Sequence, residues 1–526
     1  MRSVPPSWAR NGAPCDESGV KMNQRDHEYG KRHAQAIGMG AAGKLQRRRE
    51  AGLLNARERL ARLFDADSFS EVGLFAHSGS DPALAPADGK VAGFGRIAGR
   101  EAAAVSNDFT VMGASSTIIN GRKIGHMKRT ATQRGMPMVF LGESSGARIP
   151  ETMGAAGMGA SGSDPTQYMR LRETPWAAAI LGPCYGSASW YACLSDFKVM
   201  RRGALLAVSS AQLVRQATGA AVESEDLGGW LLHSQTTGLV DMVVDTDEEA
   251  IDAVKRFLSY LPAHAQEAPP LLPVPAGSGD GMSTIADLLP ASRTQVYDMK
   301  KLLRTVVDEG SFFELKPGFG KTGITALARI GGRSVGLIAS NPLQRGGALQ
   351  IEACQKITAF IVLCDSFNIP LLNFADVPGF AIGLDAEQKA APARIMNYMS
   401  ALQLATVPKL TVIVRKLYGQ AYLNMGGGRN SDEVAVWPSG EIGFMAPAAG
   451  VTVVHGLSPG EEGFDERVSE LERETSPWAM AAQFSVQQVL RPQDTREWLI
   501  RMLEVHQLRA TRGVGKHLMQ SWPCYL

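Results

Sequence analysis

The sequence predicts an α/β protein made of two tandem copies of one strand-and-helix unit, and three observations carry that prediction. The first is a repeat of very long period. Pro137-Met-Val-Phe-Leu-Gly-Glu-Ser-Ser-Gly146 matches Pro370-Leu-Leu-Asn-Phe-Ala-Asp-Val-Pro-Gly379 at an offset of 233 residues, and Tyr185-Gly186-Ser187-Ala188 matches Tyr418-Gly419-Gln420-Ala421 at the same offset. Asn107 and Asn341, each preceded by Ser, line up at 234. The second is a shared order of local signals: in each half an apolar run, a Gly-bearing turn, an Ala-rich helical stretch and a second apolar run ending in a second Gly turn. The third is a punctuated segment at 263–283, where Pro269, Pro270, Pro273 and Pro275 are followed by Gly277, Gly279 and Gly281.

Taken along the chain, residues 1–44 read as an N-terminal extension, with the stretch before Met22, a candidate start, disordered. The first unit spans 45–265: a helix over 114–134, a buried strand over 138–141, and a second strand over 176–181 that runs into the Tyr185-Gly186 turn. Residues 266–285 are a linker. The second unit, 286–526, repeats the plan with a helix over 350–367 and strands over 371–374 and 410–414. Gly at strand ends leaves backbone amides open at the turns.

Composition narrows the function classes. A net charge of +2 on 526 residues gives no bulk electrostatic case for nucleic acid or an anionic membrane. No run of about 18 apolar residues spans a bilayer, and no signal-peptide core opens the chain, so a cytoplasmic protein is expected. The cysteines Cys15, Cys184, Cys193, Cys354, Cys364 and Cys524 are too sparse for a disulfide framework and lack zinc-ribbon spacing; they read as reduced thiols, and no metal site is expected. His126 and His233 lack partners at metal-ligand spacing and read as structural or surface residues. Arg47-Arg48-Arg49 reads as a solvated helix face, and Met396, Met399 and Leu402 as a core face.

Two Gly turns in one unit can aim two N–H groups at a single oxygen, which is an oxyanion hole. Two copies then give two holes, suited to a reaction in which two carbonyl oxygens take on negative charge. Longer motifs support that reading. Glu143-Ser-Ser-Gly-Ala-Arg148-Ile resembles the Asp-Ser-Gly-Gly-Ala-Arg-Ile motif, and Arg415-Lys-Leu-Tyr-Gly-Gln-Ala-Tyr422 the Arg-Lys-Ala-Tyr-Gly-Gly-Ala-Tyr motif, of carboxyltransferase (beta) subunits of biotin-dependent acyl-CoA carboxylases. Ala56-Arg-Glu-Arg-Leu60, Ser106-Asn-Asp-Phe-Thr110, Leu181-Gly-Pro-Cys184, Asp376-Val-Pro-Gly-Phe380 and Asp494-Thr-Arg496 fall in family order, over about residues 45 to 510.

The resemblance implies two crotonase-like domains, with each active site formed where the N-domain of one subunit meets the C-domain of another. It implies a homo-oligomer, usually a hexamer built as a trimer of dimers. It places an acyl thioester hole at Ser145-Gly146 with Gly186-Ser187, and a biotin hole at Gly379-Phe380 with Gln420-Ala421. Ala147, Arg148, Tyr422 and Leu423 are the implied substrate-binding residues, with Leu423 favouring an aliphatic acyl group. The implied mechanism needs no side-chain base. Carboxybiotin would arrive on a biotin carboxylase/biotin carboxyl carrier partner, because this chain has no P-loop and neither Met127-Lys128 nor Met299-Lys300 has the context of a biotinylated lysine.

The chain departs from the family pattern at Ser145 and Gln420, where glycines are usual, and at Lys389-Ala-Ala-Pro-Ala-Arg394-Ile. Three other readings stand beside the main one. A decarboxylase or transcarboxylase subunit shares its transition state. A serine hydrolase would use Ser144 in Gly142-Glu-Ser-Ser-Gly146, and a binding scaffold would have lost its holes through Ser145, Gln420 and Pro392.

Overall fold

In a computed structural model, which describes residues 24–79, 83–161, 164 and 166–523, the chain forms two sheets of matching topology. The first contains β1 (Ser70–Val72), β2 (Lys90–Ile97), β3 (Arg100–Asn107), β4 (Met138–Ser144), β5 (Trp176–Tyr185), β6 (Phe197–Arg201), β7 (Leu205–Ala207) and β8 (Met242–Val244). Its order is β1-β2-β3-β4-β5-β6-β8, with β7 on β5. The second contains β9 (Phe313–Leu315), β10 (Gly323–Ile330), β11 (Arg333–Ser340), β12 (Leu371–Val377), β13 (Lys409–Tyr418), β14 (Glu433–Val436), β15 (Glu441–Gly443) and β16 (Gln488–Val489), in the order β9-β10-β11-β12-β13-β14-β16 with β15 on β13.

Each sheet opens with an antiparallel hairpin whose two-residue turn has the left-handed geometry that suits strand twist: Ala98-Gly99 at φ 49° and 78°, and Gly331-Gly332 at φ 57° and 77°. From the hairpin on, pairing is parallel, and helices return the chain across the sheet. The helix Ile118–Arg134 joins β3 to β4, and Ile351–Ser366 joins β11 to β12. The first starts four residues later than the apolar pattern predicts, because Ser115 and Ser116 are extended and Thr117 caps the helix by accepting from the Asn120 N–H. The parallel strands are covered on both faces, which is why Met138 to Leu141 and Leu371 to Phe374 are unbroken apolar runs apart from Asn373.

The repeat runs through the fold at 233 residues: β2, β3, β4 and β5 superimpose in number on β10, β11, β12 and β13. One sequence anchor slips. The Asp108 N–H donates to Gly89 O as the Asn341 N–H donates to Thr322 O, so Asn341 corresponds to Asp108 and Asn107 to Ser340. Because side chains alternate along a strand, a one-residue slip exchanges faces, and the paired Asn residues do different work.

Residues 24–44, inside the predicted extension, include the helix Gln24–Ile37 and the start of Ala42–Glu50. Residues 261–279, within the Pro/Gly segment, carry no helix or strand. No helix among the described residues is long and apolar enough to cross a membrane. Cys184, Cys193, Cys354 and Cys364 are free thiols, while Cys15, Cys524 and Met22 lie outside the described residues.

Candidate active site

Both Gly turns of the first half sit at the carboxyl ends of β4 and β5, where the strands diverge at a register shift between Gly142 and Ser144. β12 and β13 part at the equivalent Ala375 and Val377. After β4 the backbone turns at Gly146, φ 101°, and forms a parallel bridge: the Ser116 N–H donates to Gly146 O and the Arg148 N–H to Ser116 O. That bridge leaves the Ala147 N–H on its far side with no partner among the described residues. After β5, Gly186 at φ 62° and ψ −131° caps the helix Ser187–Leu194 without a side-chain bond, so the Ser187 N–H is one of the open donors of a helix start.

The two turns touch. A Cβ on Gly186 would stand 3.6 Å from Gly146 Cα, and Ser187 Oγ lies 2.7 Å from Ser116 Oγ. Ala147, Gly186, Ser187 and Ser116 line one cavity of about 570 Å³, with Ile118 and Trp190 on its apolar side. Two unpartnered N–H groups on residues that line one cavity, one of them at a helix N-terminus, make a place for an oxygen that becomes negative.

The structure moves the donors from where the motif put them. The Ser145 N–H donates to Gly113 O at 2.9 Å, and the Gly146 N–H to Ser144 Oγ at 3.1 Å, so Ala147 and Ser187 hold the open positions. Ser145 is an ordinary-φ residue whose side chain lies over Gly113, which is why Ser is tolerated there while Gly146 and Gly186 need positive φ.

The second half repeats the arrangement. Leu349 bridges Phe380 as Ser116 bridges Ala147, leaving the Phe380 N–H outward. Gly379 (φ 133°) and Gly419 (φ 61°, ψ −146°) make the turns, and Gly419 caps the short helix Gln420–Asn424. Gln420, at an ordinary φ, folds its amide along its own helix to Asn424 Oδ1, away from the turn; Ala421 is buried beneath it. This turn is open, with nothing within 4 Å of a Cβ on Gly379, and Ile382, Leu384 and Phe444 form an exposed apolar rim.

Several side chains differ from expectation. Arg148 is 5% exposed and its guanidinium is held by Asp88 at 2.8 Å, Ser115 and Glu151, so it braces the turn from behind and does not face the cavity. Tyr422 packs its ring over Gly427 and is partly buried, while Leu423 is 37% exposed beside it. Arg48 is not solvated: it forms a double hydrogen bond with Glu143 at 3.0 and 3.1 Å. Met399 and Leu402 are core residues, but Met396, one turn earlier in the helix Ala391–Leu404, is exposed at the edge of that face. His233 is structural, bonded to Leu206 O and Thr237 Oγ1, and burial lowers its pKa; His126 lies on the surface.

Ser144 is fully buried, donating to Ala114 O and accepting from the Gly146 N–H, with no His among its hydrogen-bond partners. A nucleophile elbow needs an exposed Oγ beside a base. A fluorophosphonate probe is therefore expected to leave Ser144 unlabelled in the folded protein, as read by peptide mass spectrometry; stoichiometric labelling there would restore the hydrolase reading.

Behind the first-half turns lies a buried charge network that sequence reasoning missed as a unit. Glu143 pairs with Arg59 at 2.8 Å and Arg48 at 3.0 Å, Arg59 with Asp247 at 2.8 Å, and Asp247 with Arg201 at 3.0 Å. Burial pushes the Glu143 pKa up, but Arg59 and Arg48 outweigh it and hold the carboxyl below the usual range. Its counterpart Asp376 pairs with Arg415 at 3.0 Å, yet there burial wins and the pKa is raised. Ser116 was also missed; its only signal was its place in Ser115-Ser-Thr117 ahead of a helix.

Residues 47–517 match the family described as Carboxyl transferase domain. The chain is similar to the methylmalonyl-CoA carboxyltransferase 12S subunit of Propionibacterium freudenreichii subsp. shermanii, 34% identical over 92% of this chain and 94% of that one. It is 33% identical to the alpha subunit of methylmalonyl-CoA decarboxylase of Veillonella parvula, over 91% of this chain and 95% of that one. The propionyl-CoA carboxylase carboxyltransferase subunit of Haloferax mediterranei is likewise 33% identical, over 91% and 96%. A solved hexameric transcarboxylase 12S with hydrolyzed methylmalonyl-coenzyme A bound has a TM-score of 0.85 at 32% identity, covering 92% of this chain and 96% of that chain.

Proposed function

This chain belongs to the carboxyl transferase domain family and is an acyl-CoA carboxyltransferase; we propose that it takes the carboxyl group from carboxybiotin on a partner and places it on the α-carbon of an acyl-CoA. The observation that carries this reading is the pair of open N–H groups at two Gly turns, made twice at one 233-residue offset. In the 45–265 unit, the acyl-CoA side, the Ala147 and Ser187 N–H groups hold the thioester oxygen as it becomes an enolate, and the start of the helix Ser187–Leu194 adds a favourable field.

The 286–526 unit is the biotin side. The open space at Gly379 and the outward Phe380 and Gln420 amides fit a planar ureido group, to whose oxygen their N–H groups would donate. Biotin, when bound, supplies the carboxyl group and a ureido nitrogen that takes the α-proton. The protein's share is orientation and stabilisation of two oxygens, which needs no side-chain base of its own. The apolar rim of Ile382, Leu384 and Phe444 is a surface for a second subunit to cover. We therefore read the protein as a cytoplasmic homo-oligomer, a hexamer built as a trimer of dimers, served by a biotin carboxylase/biotin carboxyl carrier partner.

Leu423, exposed beside the biotin-side turn, cannot hydrogen-bond a polar acyl substituent, so aliphatic acyl-CoAs are the expected substrates. The test is kcat/KM for acetyl-, propionyl- and butyryl-CoA and a hydroxylated analogue, with the partner complex, in wild type and Leu423→Asp. Aliphatic chains of neighbouring length should differ by about 10- to 200-fold, the worth of one methylene in an apolar pocket. A hydroxylated substrate ranked first in the wild type, or a ranking that Leu423→Asp leaves untouched, would remove Leu423 from the acyl pocket.

A further inference from the structure

Beyond their charge networks, the two halves differ at a second place behind their turns. In the first half Lys90, at the start of β2, is buried and donates from Nζ to Ala114 O at 2.7 Å. Ser144 Oγ donates to the same oxygen at 3.0 Å and accepts the Gly146 N–H at 3.1 Å. A continuous relay thus runs from a buried ammonium to the amide next to Ala147. At the 233-residue offset its members become Gly323, Gly347 and Val377, and the relay is gone.

The second half is an internal control. It builds the same strands, the same bridge and the same Gly turn without the lysine or the serine, so the fold does not require them. A different buried lysine is what the fold does repeat: Lys123 donates to Ala87 O and Lys90 O, and Lys356, its counterpart, to Lys316 O, Phe319 O and Gly323 O. Lys90 is extra. It is costly as well, because it has no ion pair with a carboxylate among the described residues. Lys90 and Ser187 also share the wall of a small cavity of about 20 Å³ behind the turn, with Asn107 and Tyr191.

We propose that Lys90 is a positioning residue for the thioester oxygen site: through Ala114 and Ser144 it fixes the Gly146 turn that presents the Ala147 N–H, and its charge lies beneath the oxygen that becomes an enolate. This rests on reading the Ala147 and Ser187 amides as that site. Asp88 favours the charge of Lys90, and Arg148 and Lys123 oppose it; Cys184 on β5 also faces it, as a buried thiol whose own pKa is pushed up to about 12. Burial outweighs them all and brings its pKa down to about 7. The charge is therefore present below that pH and lost above it, while the neutral amine still donates to Ala114 O.

The probes are methylmalonyl-CoA with free biotin as carboxyl acceptor, for turnover, and a nitronate-bearing CoA analogue against propionyl-CoA, for binding. Lys90→Gln, which keeps a donor without the charge, and Ser144→Ala, which cuts the relay at its second link, are each expected to lower kcat by about 10- to 100-fold with KM changed less than about 3-fold. Lys90→Gln should also flatten the fall of kcat above about pH 7. In titration calorimetry it should reduce the preference for the anionic analogue by about 10-fold, a readout independent of turnover. Gly186→Val separates the two levels of the reading. If Gly186→Val loses activity while Lys90→Gln keeps wild-type kcat, pH profile and analogue preference, the lysine has no such role. If Gly186→Val is itself fully active, the oxygen site is elsewhere and the proposal falls with it.

Discussion

Gly186→Val and Gly146→Val are each expected to lower turnover by roughly 10²- to 10³-fold, the scale for losing one oxyanion donor. Both glycines have positive φ, 62° and 101°, where a β-branched residue is strongly disfavoured. Neither position is blocked by close packing: a Cβ on Gly146 would come no nearer than 3.9 Å to Tyr185, and one on Gly186 no nearer than 3.6 Å to Gly146. The substitution therefore relaxes the turn without bursting the core, and it takes the Ala147 or Ser187 N–H out of line. On the proposed reading CoA draws on the rest of the cavity, so its binding should change far less than kcat. Ser145→Gly, by contrast, restores the family residue at an ordinary φ and should leave turnover within about 3-fold, since the Ser145 amide is already held by Gly113. The measurement is steady-state kinetics on variants shown to assemble like the wild type. Near-normal kcat in either valine variant would show that the turns do not carry the chemistry.

How much of this was legible in the sequence depends on which property a residue expresses. The turns were legible because positive φ leaves few alternatives to Gly, so Gly146, Gly186, Gly379 and Gly419 mark strand ends in both copies whatever surrounds them. The parallel strands were legible because burial on both faces forces apolar runs. The direction of an amide was not legible. Gly146 and Ala147 are neighbours in one motif, and only the bridge to Ser116 decides that the second is open and the first is bonded to Ser144. Long cations were misread for a similar reason. Arg48 and Arg148 look like solvent or ligand residues in sequence, but their partners Glu143 and Asp88 lie 95 and 60 residues away. Met396 shares a helical spacing with Met399, yet in the helix Ala391–Leu404 it lies at the edge of the covered face.

Arg59→Met is expected to destabilise the first half by about 3 kcal/mol, the lower end for breaking a buried ion pair, because it removes the cation shared by two buried carboxylates while each keeps one other partner. Arg59 is fully buried and joins three elements: its own helix Ala56–Leu63, the end of β4 through Glu143, and the first turn of the helix Asp247–Tyr260 through Asp247. Arg48 still answers Glu143 and Arg201 still answers Asp247, so the variant is not left with bare carboxylates. The pH dependence distinguishes this mechanism from simple loss of packing. In the wild type the Glu143 pKa lies below its ordinary value, so its stabilising share is present above the unfolded carboxylate range and is lost as pH falls through the lowered folded value. Without Arg59 the desolvation of Glu143 is less opposed, its folded pKa rises, and the deficit relative to wild type shrinks as the pH is lowered. Urea midpoints at pH 7 and at about pH 4, the second inside the ordinary carboxylate range, measure this, with Arg62→Met as the control, since the Arg62–Asp252 pair at 2.5 Å is about half exposed on both sides and its loss should leave the midpoint unmoved. A deficit that is equal at the two pH values would assign Arg59 to packing alone, and the charge network would lose its part in holding β4 where the turn needs it.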